Sequence, residues 1–150
     1  MKHTNIRFMH QYCNSIAKKF RASPCKHAVE SEYIRKLSPD ARKPKQPIHG
    51  YALVNGEDMH RLHPETFDLH SLADRINAKV GRHVKVGLIG PTKDEPSERF
   101  WVSILSKTAT SNGATFIGQV HAALCFTAEH GISDGDIVQF GTEHILVIEL

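Results

Sequence analysis

The chain of 150 residues has few of the features that would identify a class outright. It contains three cysteines, Cys13, Cys25 and Cys125. An odd count without Cys-x-x-Cys spacing excludes a disulfide framework and a cysteine zinc site, and predicts buried or free thiols in a reducing compartment. No run approaches the roughly 18 apolar residues of a membrane-spanning helix, and Lys2, His3, Arg7, His10, Lys18 and Lys19 interrupt the first 20 residues where a secretory signal would need an apolar core. The expected location is the cytoplasm, with no membrane contact. Also missing are a Gly-rich phosphate cradle, a nucleophile elbow and a His-Glu-x-x-His helix. No catalytic constellation is present, so the expectation is a protein that is not an enzyme and needs no cofactor or metal. Aromatic residues make up 7% of the chain, and Trp101 is the single tryptophan.

What is present describes a soluble globular chain, with 40% hydrophobic and 23% charged residues and a net charge of +3. That small net value conceals an asymmetry. Residues 1–48 hold 11 Lys and Arg against Glu30, Glu32 and Asp40, a local +8, whereas the remainder carries 8 basic and 13 acidic residues, a local −5. The boundary coincides with Arg42-Lys43-Pro44-Lys45-Gln46-Pro47, whose prolines preclude a helix and predict an extended connector. The division expected is a basic helical arm and connector over 1–48 and a β-rich domain over 49–150, or one unit containing both.

In the basic third, Ile6, Met9, Cys13, Ile16 and Phe20 fall on one helical face and predict a helix over 4–22. Ser23-Pro24 then separates it from a second helix expected over 24–37, with Val29, Tyr33 and Leu37 as its apolar stripe. After residue 80 the period changes from helix to strand. Runs at 84–89, 100–105, 115–120, 136–140 and 144–148, separated by turn residues, predict five strands. A further strand is expected at 51–54, and Leu69, Leu72, Ala73, Ile76 and Val80 predict a short helix between. The fold class is therefore α+β: two N-terminal helices followed by a small antiparallel five-stranded β barrel or curled sheet, SH3-like or OB-like. An internal echo, Gly81-x-x-Val84-x-Val86 and Gly135-x-x-Val138-x-Phe140, places a glycine at each strand start, where a tight turn favours it.

Five spaced motifs carry a resemblance. His63-Pro64-Glu65-Thr66-Phe67, Arg75, Gly81 with Val84-Lys85-Val86, Glu98-Arg99-Phe100-Trp101-Val102, and Gly118 followed by Gly135-Asp136-Ile137-Val138-Gln139-Phe140 and His144-Ile145 together make residues 57–145 resemble a widespread bacterial domain, the family that includes YegJ-like proteins. The resemblance implies a compact β-rich fold and supplies no catalytic residues, and the basic third lies outside it.

Candidate sites follow from charge and alternation. Lys18, Lys19, Arg21, Lys26, Arg35, Lys36, Arg42, Lys43 and Lys45 concentrate positive charge that attracts anions or lies against the acidic body. With Glu98-Arg99-Phe100-Trp101-Val102 read as strand, Arg99, Trp101 and Ser103 face one way and Phe100, Val102 and Ile104 the other, so an arginine and an indole share an outer face. His60 and His63 have one-turn spacing, with His70 seven residues further on, but Pro64 pushes His63 out of helical conformation, and a structural metal set is incomplete. Glu98, with Asp94 and Glu95 nearby, invites a paired-carboxylate reading that the strand alternation weakens. Cys125, between Leu124 and Phe126, is expected to be a buried structural thiol. The function expected is a non-enzymatic binding module contacting nucleic acid or a nucleoprotein, or alternatively a small protein-directed inhibitor or immunity-type factor of a mobile element or phage.

Overall fold

Strand alternation builds the core of the computed structural model, which describes residues 29–149. In β3 (His83–Ile89), Val84, Val86 and Leu88 are fully buried while His83, Lys85 and Ile89 face outward. The pattern repeats in β4 (Glu98–Ala109), where Phe100, Val102 and Ile104 point inward, and in β5 (Ala114–Val120), where Ala114, Phe116 and Val120 do. β6 (Ile137–Gly141) contributes Val138 and Phe140, whose ring stacks on Phe116 at 5.3 Å. These side chains join Tyr51, Ile132 and Ile145 in one core.

The main path of the sheet is β2-β3-β4-β5-β6, antiparallel throughout, with β2 spanning Ala52–Leu53. After β6 the chain makes a 3-10 turn over Thr142–His144 and returns as β7 (Val147–Ile148) to pair with β3 beside β2. The sheet thus curls until its last strand reaches the edge of β3, the α+β half-barrel that the strand pattern predicts.

Helices cover the outside. α1 (Glu32–Lys36) buries Ile34 against Leu105, Ile137 and Ile117 on the outer face of the sheet. α2 (Gly56–Leu62) and α3 (Leu72–Ile76) lie beyond β2, and α4 (Thr127–His130) sits in the β5–β6 connection. Among the described residues no helix is long and apolar enough to cross a membrane.

Four expectations are corrected. The helix expected over 24–37 is only α1 within the described residues, because Val29–Glu30 form β1, paired with Ser106 and Lys107 where β4 extends past the end of β3. β-branched Val29 suits that vacant ladder, Ser31 N–H donates to Leu105 O at 2.7 Å, and the Ser31 hydroxyl then caps α1 by accepting from Ile34 N–H. Tyr33, placed on the buried stripe by the longer helix, is instead 48% exposed. In α3 the side turned inward is Arg75, not Leu72, because the guanidinium reaches the carbonyls of His70 and Thr142 and the carboxylate of Glu57. The strand expected from His144 begins only at Val147. Thr142 Oγ1 accepts from Ala114 N–H and donates to Ala114 O, and Gly141 N–H donates to His144 Nδ1, so side chains bend the backbone out of the ladder.

The expected helix over 4–22 lies outside the described residues. The segment 42–47 has no regular structure, and it is tied to the sheet edge by Lys45 N–H donating to Ile137 O at 2.8 Å. Gly81 and Gly135 both have positive φ, +92° and +88°, at the strand starts where the echo placed them.

Candidate functional site

The outer face of the curled sheet is covered at two ends and open between them. α1 covers Leu105, Ile117 and Ile137 at one end. At the other, Val54 and Leu146 gather over Gly87 beside Arg99, whose guanidinium lies 5.4 Å from the Phe67 ring. Between these covers two cross-strand rows remain. The first runs Lys85–Trp101–His121: Lys85 and Trp101 are register partners, and His121 N–H donates to Trp101 O at 2.9 Å. The second runs His83–Ser103–Gln119, with the Gln119 amide donating to the exposed Tyr33 hydroxyl at 3.3 Å.

Side chains in these rows touch. Lys85 Nζ lies 4.8 Å from the Trp101 ring centroid, and the His83 and His121 rings are 5.6 Å apart. His83, Trp101, His121 and Glu149 line a concavity of about 190 Å³, and His83 Nδ1–H donates to Glu149 Oε2 at 2.7 Å. One carboxylate and two imidazoles thus stand around a half-buried indole that has the Lys85 ammonium over its ring. Such a surface can hold a planar π system and the anionic groups attached to it.

The nine basic candidates divide. Lys18, Lys19, Arg21 and Lys26 lie outside the described residues. Arg35 and Lys36 are exposed on α1, and Lys43 is exposed beyond it. Arg42 turns inward, its Nη2 donating to Ile34 O at 2.8 Å with Glu30 at 3.8 Å, and Lys45 pairs with Asp136 at 3.3 Å. Arg42 therefore serves the fold before it serves a partner. Arg99 and Trp101 face outward together, as the alternation predicts.

Glu98, Asp94 and Glu95 do not form a carboxylate pair for acid–base work. Glu95 accepts from Thr92 within its own turn, which lowers its pKa. Glu98 instead holds the β5–β6 connection, accepting from Cys125 N–H at 2.6 Å, Phe126 N–H at 3.0 Å and His130 Nε2–H at 2.8 Å. Burial pushes its carboxyl up, but these three donors outweigh burial and leave the pKa below the usual carboxylate range. His130 is fully buried, edge-on to Tyr51, and its Nδ1 accepts from Ile132 N–H at 3.1 Å. Both ring nitrogens are thus committed, and His130 cannot serve as a base for Cys125. Nothing in the sequence links Glu98 to His130, which are 32 positions apart.

Cys125 is exposed, against the expectation of a buried thiol, because the Glu98 carboxylate draws its backbone toward β4 and turns the side chain to solvent. Pro64 does end α2: His63 is its C-cap, and His60 Nδ1–H donates to Phe67 O at 2.7 Å. Among the described residues no three His, Cys, Asp or Glu side chains converge as a metal-holding group.

A second cavity, about 330 Å³, opens where the half-barrel is incomplete, between the 45–47 segment with β2 and strand β6. Leu53, Leu88, Phe100 and Val138 form its apolar wall and His144 its polar corner. Burial holds the His144 pKa below its ordinary value, with Glu143 opposing.

Comparison with models of protein families, with characterised proteins and with solved structures gives no match to this chain.

Proposed function

We propose that this protein is a non-enzymatic, cytoplasmic nucleic-acid-binding module in which the open outer face of the sheet and the basic segment beside it contact the strand. The observation that carries the reading is the Lys85–Trp101–His121 row, an indole with a lysine ammonium over its ring and an imidazole beside it on a solvent-facing sheet. Cationic groups neutralise phosphates, and an aromatic face stacks on bases. Arg35 and Lys36 sit on α1, which also carries Tyr33 against Gln119 at the margin of the same face. The basic side chains of Lys18, Lys19, Arg21 and Lys26 would extend the contact. The exposed thiol of Cys125 fits a reducing compartment.

The barrel class belongs to the same reading. Four strands in meander order, a 3-10 turn and a fifth strand returning to the edge of the first favour an SH3-like arrangement over the Greek-key order of an OB fold.

The second reading, a protein-directed inhibitor, is favoured by Leu62 and Leu72, which are 61% and 46% exposed on α2 and α3. Salt separates the two. Anisotropy of a labelled oligonucleotide should give a log–log affinity plot falling by about 0.7 for each single-strand phosphate neutralised. Reversal of Arg35, Lys36 and Lys43 to Glu should reduce both affinity and slope. A flat salt response, or a triple variant indistinguishable from wild type, would favour the apolar protein contact.

A further inference from the structure

We infer that the concavity lined by His83, Trp101, His121 and Glu149 is a subsite for one unstacked nucleobase, which makes the protein selective for single-stranded over duplex nucleic acid; this rests on the nucleic-acid reading above and gives it a substrate class. Three observations converge. The first is size: at about 190 Å³ the recess admits one planar base and not a base pair. The second is its floor. Trp101 stands on β4 between β3 and β5 and is partly buried there, so its ring is held by the sheet, and a rigid indole loses little freedom when a base stacks on it.

The third is the arrangement of polar groups around that ring. His83 and His121 stand 5.6 Å apart at the rim, and Glu149 fixes the His83 ring through Nδ1. The Glu149 carboxylate and the imidazoles offer both acceptors and donors to the edge of a base, groups that Watson–Crick pairing hides in a duplex. Lys85, whose Nζ lies 4.8 Å from the ring centroid, and Arg99, the next outward-facing position along β4, supply positive charge for the flanking phosphates. Charge complementarity therefore favours a polyanion carrying exposed bases. A duplex presents its charge but keeps its bases stacked inside, where a concave recess in a sheet cannot reach them.

The test uses the only tryptophan of the chain as its probe. Full-length protein is titrated with a 12-residue oligothymidylate, the matching oligouridylate and a 12-base-pair duplex, and two signals are read together: Trp101 emission, and anisotropy of a dye on the oligonucleotide. Binding of either single strand with quenching of Trp101, and at least 10-fold weaker binding of the duplex, is the result expected. Trp101→Ala should lose about 5- to 150-fold in single-strand affinity, the loss typical of one stacked base. Should that variant fold poorly, Lys85→Gln and His121→Ala report on the same recess without removing its floor. Anisotropy that rises equally for strand and duplex with Trp101 emission unchanged would overturn the base subsite while leaving nucleic-acid binding in place. No rise with any of the three would overturn both.

Discussion

Removing the Glu98 carboxylate should be among the most destabilising single changes in this protein. Three donors converge on it: the N–H groups of Cys125 and Phe126, and Nε2–H of His130. In Glu98→Ala the Cys125 amide, on an exposed residue, finds water, whereas the Phe126 N–H, on a half-buried residue, and above all the wholly buried His130 N–H lose their partner. Each buried donor left unpaired costs about 1–3 kcal/mol, so the expected loss is about 3–5 kcal/mol. Glu98→Gln should cost less, about 1–2 kcal/mol, because one amide oxygen can serve His130 and Phe126 while the NH2 group meets only the solvated Cys125 amide. Urea unfolding at pH 7, followed by circular dichroism and Trp101 emission, measures both. A folded-state pKa below the unfolded value of about 4.3 means that the stabilisation is complete above that pH and is lost as acid carries the carboxyl through its lowered folded value. The difference between wild type and Glu98→Gln should therefore shrink at low pH. A Glu98→Ala loss under about 1 kcal/mol, or a difference that grows on acidification, would refute the reasoning.

Other outcomes follow from the same geometry. Gly135 has φ of +88° with nothing within 4 Å of the position a Cβ would take, so Gly135→Val should cost about 1–3 kcal/mol through backbone strain alone, and an unchanged melting temperature would remove the argument. His144 has a lowered pKa and accepts from Gly141 N–H, so the unfolded chain binds its proton first; its share of stability is present above about pH 6.5 and falls with pH below that, and His144→Gln should flatten this part of the stability profile. Arg75→Met should cost about 2–4 kcal/mol by leaving the carbonyls of His70 and Thr142 unpaired, which thermal unfolding would show. Arg35→Glu with Lys36→Glu should leave the melting temperature within a few degrees while lowering oligonucleotide affinity several-fold, since both side chains are exposed.

Much of the sheet was legible in the sequence because strand alternation is local. The inward sets Val84-Val86-Leu88 and Phe100-Val102-Ile104 could be read two residues at a time, and with them the outward pair Arg99 and Trp101. Gly81 and Gly135 were legible for the same reason, since a turn into a strand is a short-range event. The misreadings all arose where a distant partner overrode a local preference. Val29 fits a helical stripe by spacing, yet a vacant stretch of β4 near Lys107 draws it into a strand. Leu72 fits an inward face, yet Arg75 finds the carbonyl of Thr142, 67 positions away. The recess beside Trp101 needs His83, His121 and Glu149 from three separate segments, and only the register of β3 with β4 and β7, and of β4 with β5, brings them together. Charge concentration before residue 48 marked a region, but it did not show that Arg42 and Lys45 turn toward the fold.

The proposed contact lies on one face of the sheet, and backbone amide chemical-shift mapping reports on that face directly. Adding a short single-stranded oligonucleotide to isotope-labelled protein at low salt should shift the amides of residues 83–87, 99–103 and 119–121, the Trp101 indole N–H and α1, and leave α2 and α3 unmoved. Shifts confined to α2 and α3, around Leu62 and Leu72, or no shifts at all at saturating oligonucleotide, would contradict the assignment of the Lys85–Trp101–His121 row as the binding surface.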